Sequence, residues 1–318
     1  MILTYVLTGA HSTGKSTLMD ALRTIPGYEF SESVTRTSGA ILNQDGDEDG
    51  QLKILQAIID YENTNGVYTK DFILDRSFID FLAYTMYLHR RNKISPDTLQ
   101  VITDEFLKRV PYYKQIFYLP IEFDIELDGV RSDNKSFQQE IDEIIRSILI
   151  DWQLPFIPLH GSIDERASTV KANIPFIGHV TNKSVILDTI GYKEGFEEYL
   201  DDDSYVVYHN NTIVSLLSYK KTDRLKISYL YTDPSYRGSK LATKLMDKLL
   251  KDHTNIVVYL YIKADAMPFY TSYGIDKFIV GESIYSGPIP NYYATFHNGN
   301  GVLTAIDIDE AIQSRLKP

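Results

Sequence analysis

The 318-residue chain is 43% hydrophobic, enough to bury the cores of about two folded units, and it has no cysteine, which excludes disulfides, thiolate metal sites and cysteine nucleophiles. Its formal charge is −11, with residues 1–174 holding 17 Lys and Arg against 26 Asp and Glu and residues 175–318 holding 15 against 17; this field opposes wrapping of nucleic acid, whereas small anionic substrates need only local positive charge. No run of about 18 apolar residues occurs and no basic segment precedes the short apolar start, so neither a membrane span nor a secretory signal is expected, and the expected location is the cytoplasm.

Residues 2–8 form an apolar strand that runs directly into Gly9-x-x-x-x-Gly14-Lys15-Ser16 and a helix from Lys15. This strand-turn-helix context is the one in which a P-loop binds phosphate. The glycines let the backbone fold around the anion, and successive N–H groups with the helix N-terminus face it. Lys15 is expected to reach the β and γ oxygens of ATP, and the Ser16 hydroxyl to meet Mg²⁺. Gly9, Ser12, Thr13, Gly14, Lys15, Ser16 and Thr17 are the expected nucleotide-binding residues. His11, inside the loop, reads as a variable position.

Next come a strand at 28–31 and the acidic stretch Asp45-Gly-Asp-Glu-Asp-Gly50, which lacks the ligand spacing of a calcium loop and reads as a solvated loop. Helices follow at 51–63, 78–90, 97–109 and 136–150, alternating with strands at 71–74, 115–119 and 155–159. Such alternation predicts α/β structure with a parallel sheet. Asp75 closes the strand before Arg76-Ser77, and a carboxylate at the C-terminal end of a parallel strand sits where open α/β sheets bind ligands. Glu32 and Arg36, four apart, fit either a surface helix pair or a substrate site.

Asn173-Ile-Pro-Phe-Ile-Gly178 breaks the helical pattern and places a boundary near 172–180, dividing the chain into domains 1–174 and 175–318. Consecutive strands at 205–209, 212–220 and 224–232 predict an antiparallel meander. A helix at 239–252, strands at 256–262 and 276–281 with a short helix at 267–273, and a tail with a helix-like 307–316 complete the pattern.

With Glu32-Ser-Val-Thr-Arg36, Asp75-Arg76-Ser77, Asp128-Gly-Val-Arg131 and Leu159-His-Gly-Ser-Ile-Asp-Glu165-Arg166 in place, residues 1 to about 172 resemble nicotinamide-riboside-kinase-like and deoxynucleoside-kinase-like P-loop families. The resemblance implies that Asp75 organises Mg²⁺ or acts as general base. It further implies that Arg76 clamps phosphate, that Arg131 lies on a lid, and that Glu32 and Arg36 bind substrate. For Arg131 the plainer alternative is a surface arginine at a helix start.

The segment Tyr231-Thr-Asp-Pro-Ser-Tyr-Arg237-Gly238-Ser239-Lys240-Leu241-Ala242, ahead of an amphipathic helix, resembles the pyrophosphate turn of GNAT-type N-acetyltransferases, over about 180–285. That resemblance implies an α+β domain that binds acetyl-CoA through Tyr231, Arg237, Gly238, Ser239, Lys240, Leu241 and Ala242, with Tyr270 as the acid that protonates the departing thiolate. Lys240 departs from the pattern, since it stands where the family has glycine and a non-glycine residue resists positive φ. The usual two helices after the first strand are reduced to Gly191–Tyr199, leaving the acceptor pocket undefined.

Together these features predict a bifunctional transferase: an ATP-dependent kinase acting on a nucleoside-like hydroxyl, joined to an acetyl-CoA-dependent acyltransferase. Two rivals remain open at this stage. One is a kinase for hydroxymethylated bases in DNA, as in phage enzymes that hypermodify thymine, which net charge disfavours. The other is a nucleotide-dependent switch with a degenerate acyltransferase domain.

Overall fold

A computed structural model describes residues 4–32, 34–36, 38–124, 134–190, 197–201, 203–263, 266–272, 275, 279–281, 291–299 and 302–305. The chain forms two compact units that divide between Lys171 and Ala172.

In the first unit the chain runs β1 (Thr4–Thr8), α1 (Lys15–Leu22), β2 (Glu29–Phe30), α2 (Glu48–Asn65), β3 (Phe72–Asp75), α3 (Phe78–His89), α4 (Pro96–Arg109), β4 (Tyr113–Tyr118), α5 (Lys135–Asp151), β5 (Phe156–Pro158) and α6 (Ile163–Asn173). The strands are parallel, in the order β2-β3-β1-β4-β5. All residues of β1 and β3 are buried, as an inner parallel strand covered on both faces requires. After β1 the chain builds β2 and β3 on one side of it and then crosses to β4 on the other, so the loop after β1 sits at the switch point where such sheets bind ligands. On α5, Ile141, Ile144, Ile145 and Ile148 repeat at helical spacing and pack with Ile79, Leu82 and Leu88 of α3 and with Ile102 and Phe106 of α4.

The acidic stretch corrects one expectation, because only its first part is a loop. Asp47 caps α2 by accepting from Gly50 N–H at 2.8 Å, and Glu48 and Asp49 occupy the first turn. Negative charge there is favoured by the helix dipole and by the orphan N–H groups. Glu48 is also held by the Ser95 N–H at 3.0 Å and the Ser95 hydroxyl at 2.7 Å, tying α2 to the start of α4.

The second unit contains β6 (Phe176–Val180), α7 (Lys183–Ile190), β7 (Asp203–His209), β8 (Thr212–Lys221), β9 (Leu225–Thr232), α8 (Leu241–Asp252), β10 (Ile256–Lys263), α9 (Met267–Ser272), β11 (Ile279–Gly281), β12 (Asn291–Gly299) and β13 (Val302–Ala305). Its sheet runs β11-β12-β10-β9-β8-β7-β6, with β13 on β12. The β6–β9 part is an antiparallel meander, and α8 then carries the chain across to β10, parallel to β9. One face packs on Leu241, Leu245, Met246 and Leu249 of α8, the other on Ile186 of α7.

Besides the helices α6 and α7 and the strand β13, two sheet-building strands have no counterpart in the sequence pattern. The segment taken as a boundary forms the edge strand β6, and the tail supplies β12, which pairs with β10 from Ile256↔Asn298 to Lys263↔Asn291. Gly299 pairs with Val302 across Asn300-Gly301, a dipeptide whose hairpin preference is readable in the sequence. The helix-like 307–316 lies outside the described residues.

Candidate functional site

The loop between β1 and α1 is held on every side. A Cβ on Gly9 would lie 2.5 Å from the Leu119 carbonyl oxygen, so only glycine fits this close approach. Gly14 caps α1 with φ +86° and Ser12 has φ +59°, which turns successive amides toward one concavity. Lys15 is buried and donates to the carbonyls of Gly9 and Ala10, the latter at 2.6 Å. Its ammonium is therefore positioned by the loop before any phosphate arrives. Thr13 Oγ1 donates to Ala10 O at 3.0 Å, while Ser16 and Thr17 are exposed at the start of α1.

Ser16 Oγ donates to Asp75 Oδ2 at 3.2 Å, and the Asp75 N–H donates to Ser31 Oγ at 2.8 Å. Asp75 is only 9% exposed, and its Oδ1 is buried without a hydrogen-bond partner among the described residues, as is Ser12 Oγ. A buried carboxylate oxygen left unpaired is destabilising unless a ligand completes it. Arg76 is held in left-handed backbone at φ +72°, a strained conformation for its residue type. Burial works against its charge, but Tyr84, Asp80 and Asp75 around it raise its pKa.

These residues open onto a cleft lined in part by Ser31, Glu32, Gln51, Asp75, Arg76, Asp80, Phe81 and Tyr84. Glu32 is exposed at its mouth, with its N–H donating to Tyr61 OH at 3.2 Å. Arg36 ends a short 3-10 turn, Val34–Arg36, so Glu32 and Arg36 do not share a helix. The side chain of Arg36, and Arg131 entirely, lie outside the described residues.

Several contributors were not singled out by the sequence pattern. His11 is 2% exposed: its ring stacks on Phe137 at 5.1 Å, Nδ1 lies 3.2 Å from Tyr84 OH, and its carbonyl accepts from Gln138 Nε2 at 2.7 Å. It is therefore a packed residue of the loop and lines the cleft. Gln51 is buried with Oε1 accepting from Thr85 Oγ1 at 2.9 Å, which leaves its amide N–H groups as what it can offer a ligand. Arg166 of α6, fully buried, donates to Thr13 O and to Glu122 Oε2, each at 2.7 Å. Burial pushes the Glu122 pKa up, but hydrogen bonds from Arg166, His160 and the Gly161 N–H outweigh it and hold the carboxyl down at about 2.

In the second unit β9 ends at Thr232 and the chain reaches α8 through residues 233–240. Gly238 has φ +82° and Lys240, the N-cap of α8, has φ +62°. Lysine thus adopts the glycine conformation that the turn requires, at a conformational cost of roughly 1 kcal/mol. Arg237 and Lys240 are exposed, and the Ser239 hydroxyl donates to the Tyr236 carbonyl. Leu241 buries its side chain in the core and Ala242 is half-buried, so the first-turn N–H groups are what this segment presents to an anion.

A register shift in the β8–β9 pairing falls beside Ser228, and β9–β10 pairing is confined to Leu225–Ile227 with Val258–Leu260. Beyond that point the two strands no longer pair, and the sheet opens toward the α8 turn. Tyr231 packs its ring against the cluster containing Ile186, while its carbonyl accepts from Ser215 Oγ at 2.8 Å. Only its backbone is left to meet a ligand on the α8 face. Tyr270 lies 5% exposed in the α8-side core, where burial raises its pKa and keeps the hydroxyl protonated at neutral pH.

Residues 4–166 match the family described as AAA domain; the match spans more than half of the chain, and the chain belongs to that family. Residues 179–283 match the acetyltransferase (GNAT) domain. An AAA-family domain and a segment that matches the GNAT acetyltransferase domain are thus joined in one α/β chain.

Among solved structures, deoxyadenosine kinase from M. mycoides with products dCMP and a flexible dCDP bound is similar at 12% identity, over 53% of this chain and 96% of its own, with a TM-score of 0.41. NadR in complex with NR is similar at 19% identity, over 53% of this chain and 50% of its own, with a TM-score of 0.43. Arabidopsis thaliana Naa50 in complex with the bisubstrate analogue CoA-Ac-MVNAL is similar at 17% identity, over 38% and 97%, with a TM-score of 0.31. No curated protein matches the chain.

Proposed function

We propose that the domain of residues 1–174 transfers the γ-phosphoryl group of ATP to a hydroxyl of a nucleoside, nucleotide or related small metabolite. The observation that carries this is the placement of Asp75, with one oxygen on Ser16 of the phosphate loop and the other unpartnered beside a cleft that begins at that loop. Donor and acceptor would then meet across a single carboxylate.

The residues present fit Mg²⁺, which favours oxygen ligands and keeps several waters: Ser16 Oγ and Asp75 would hold it. When bound, the ion neutralises charge on the β and γ oxygens. Lys15, fixed by two loop carbonyls, supplies positive charge to the same oxygens. Arg76 would clamp the transferring group, and Glu32 and Gln51, which line the cleft, together with Arg36 would bind the acceptor. Arg131 is proposed to close over the reacting complex.

In residues 175–318 the turn Arg237–Ala242 and the opening between β9 and β10 fit acetyl-CoA. Arg237, Lys240 and the α8 amides would hold its pyrophosphate, and Tyr270 would protonate the departing thiolate. Acetyl transfer to an amine is the reaction this arrangement supports. Among the described residues no helix is long and apolar enough to cross a membrane.

The test is a screen of nucleosides, nucleotides and amines with labelled ATP and labelled acetyl-CoA, each supplied separately and together. Transfer of label to a small hydroxyl compound supports the kinase reading. ATP turnover that no small acceptor changes, in a protein that binds ATP, overturns it.

A further inference from the structure

Asp80, in the first turn of α3, is 2% exposed, and its two oxygens serve different purposes. Oδ2 accepts from the Ser77 N–H at 2.9 Å and from the Ser77 hydroxyl at 3.2 Å, completing the capping box of α3. Oδ1 accepts from the N–H of Gly9 at 3.2 Å, 71 positions away, and lies 3.8 Å from Lys15 Nζ. The Arg76 guanidinium acts on the same carboxylate. A helix cap needs only the first set of contacts.

We infer that Asp80 is a positioning residue for phosphoryl transfer: it fixes the phosphate loop against the Asp75-Arg76 segment and is the counter-charge that incoming phosphate displaces from Lys15. The inference rests on the phosphotransferase reading above. One buried side chain bridges the first amide of the donor loop and the helix cap that directly follows Asp75-Arg76. The two halves of the reaction are thereby held at one spacing before substrate binds. The same carboxylate shares Lys15 and Arg76 with any bound phosphate, and so weakens resting affinity while preserving geometry.

The test uses the full chain and isothermal titration with MgADP, together with turnover of labelled ATP in a mixture of deoxynucleosides. Asp80→Asn keeps the size of the side chain and one accepting oxygen but removes the charge. It is expected to bind MgADP roughly 3- to 10-fold more tightly, because Lys15 loses a competitor. Its turnover at saturating ATP is expected to fall at least ~10-fold, because the loop and the Asp75 segment lose their fixed spacing.

Asp80→Glu keeps the charge and lengthens the tether. It should retain wild-type MgADP affinity within about 2-fold and still lose turnover. This second variant decides the matter if Asp80→Asn does not fold. Ser77→Ala removes the cap hydroxyl and its contact with Asp80 Oδ2 but leaves the Asp80 charge and its Gly9 and Lys15 contacts, and should lower thermal stability without tightening MgADP.

Unchanged or weaker MgADP binding by folded Asp80→Asn, or full turnover by Asp80→Glu, overturns the inference. Wild-type protein that binds neither MgADP nor MgATP overturns both it and the phosphotransferase reading.

Discussion

Asp75 places its two oxygens in unlike surroundings, one on the Ser16 hydroxyl and one buried without a partner. Asp75→Asn removes the negative charge that a metal or an acceptor proton requires and keeps the shape. It should lower phosphotransfer ~10²-fold or more while changing nucleotide affinity far less. Equal loss in titrated affinity and in initial rate would assign Asp75 a structural role. Tyr270→Phe deletes one hydroxyl and keeps the ring in the core. Acetyl transfer should slow by roughly 10²-fold with little change in melting temperature; an unchanged rate would reduce Tyr270 to a packing residue.

At the scale of elements, α6 straps the phosphate loop through Arg166, which reaches both Thr13 O and Glu122. Glu122 is held at about 2, below the ordinary carboxylate value of about 4.3. Its stabilising effect is therefore complete above about pH 4.3 and is lost as pH falls through that value toward about 2. Glu122→Gln should be less stable than wild type at neutral pH, and the gap in melting temperature should close across this acid window. A gap that stays constant down to pH 2 would remove Glu122 as the titrating group.

The turn before α8 offers a test of the opposite sign. Lys240→Gly relieves the strain of φ +62° and should raise stability by about 0.5–1 kcal/mol in thermal or denaturant unfolding. If the lysine charge helps hold pyrophosphate, the same change should weaken CoA binding several-fold by calorimetry. Tighter or unchanged binding would make Lys240 a mere replacement for glycine.

For the whole molecule, the division into two compact units predicts that each chemistry can be removed separately. Lys15→Ala should abolish most phosphotransfer, by roughly 10²- to 10³-fold, while acetyl-CoA affinity and acetyl transfer remain at wild-type levels. Parallel loss of both activities in a folded protein would show that the two units work as one.

What short-range chemistry controls was legible along the chain. The P-loop was legible because glycine, lysine and serine must follow a strand at set spacings. The parallel sheet followed from alternating apolar runs and amphipathic helices, and the α8 turn from Arg237-Gly238 ahead of a helix with buried residues at helical spacing. What depends on long-range approach came from packing. Asp80 meets Gly9 across 71 positions and Arg166 meets Thr13 across 153. The tail strand β12 finds β10, and Tyr231 turns its ring away from the face where a cofactor would lie. A local pattern reports which conformation a segment prefers, but a buried polar atom takes its partner from whichever element the packed core brings within hydrogen-bond distance, and that choice is made by the fold as a whole.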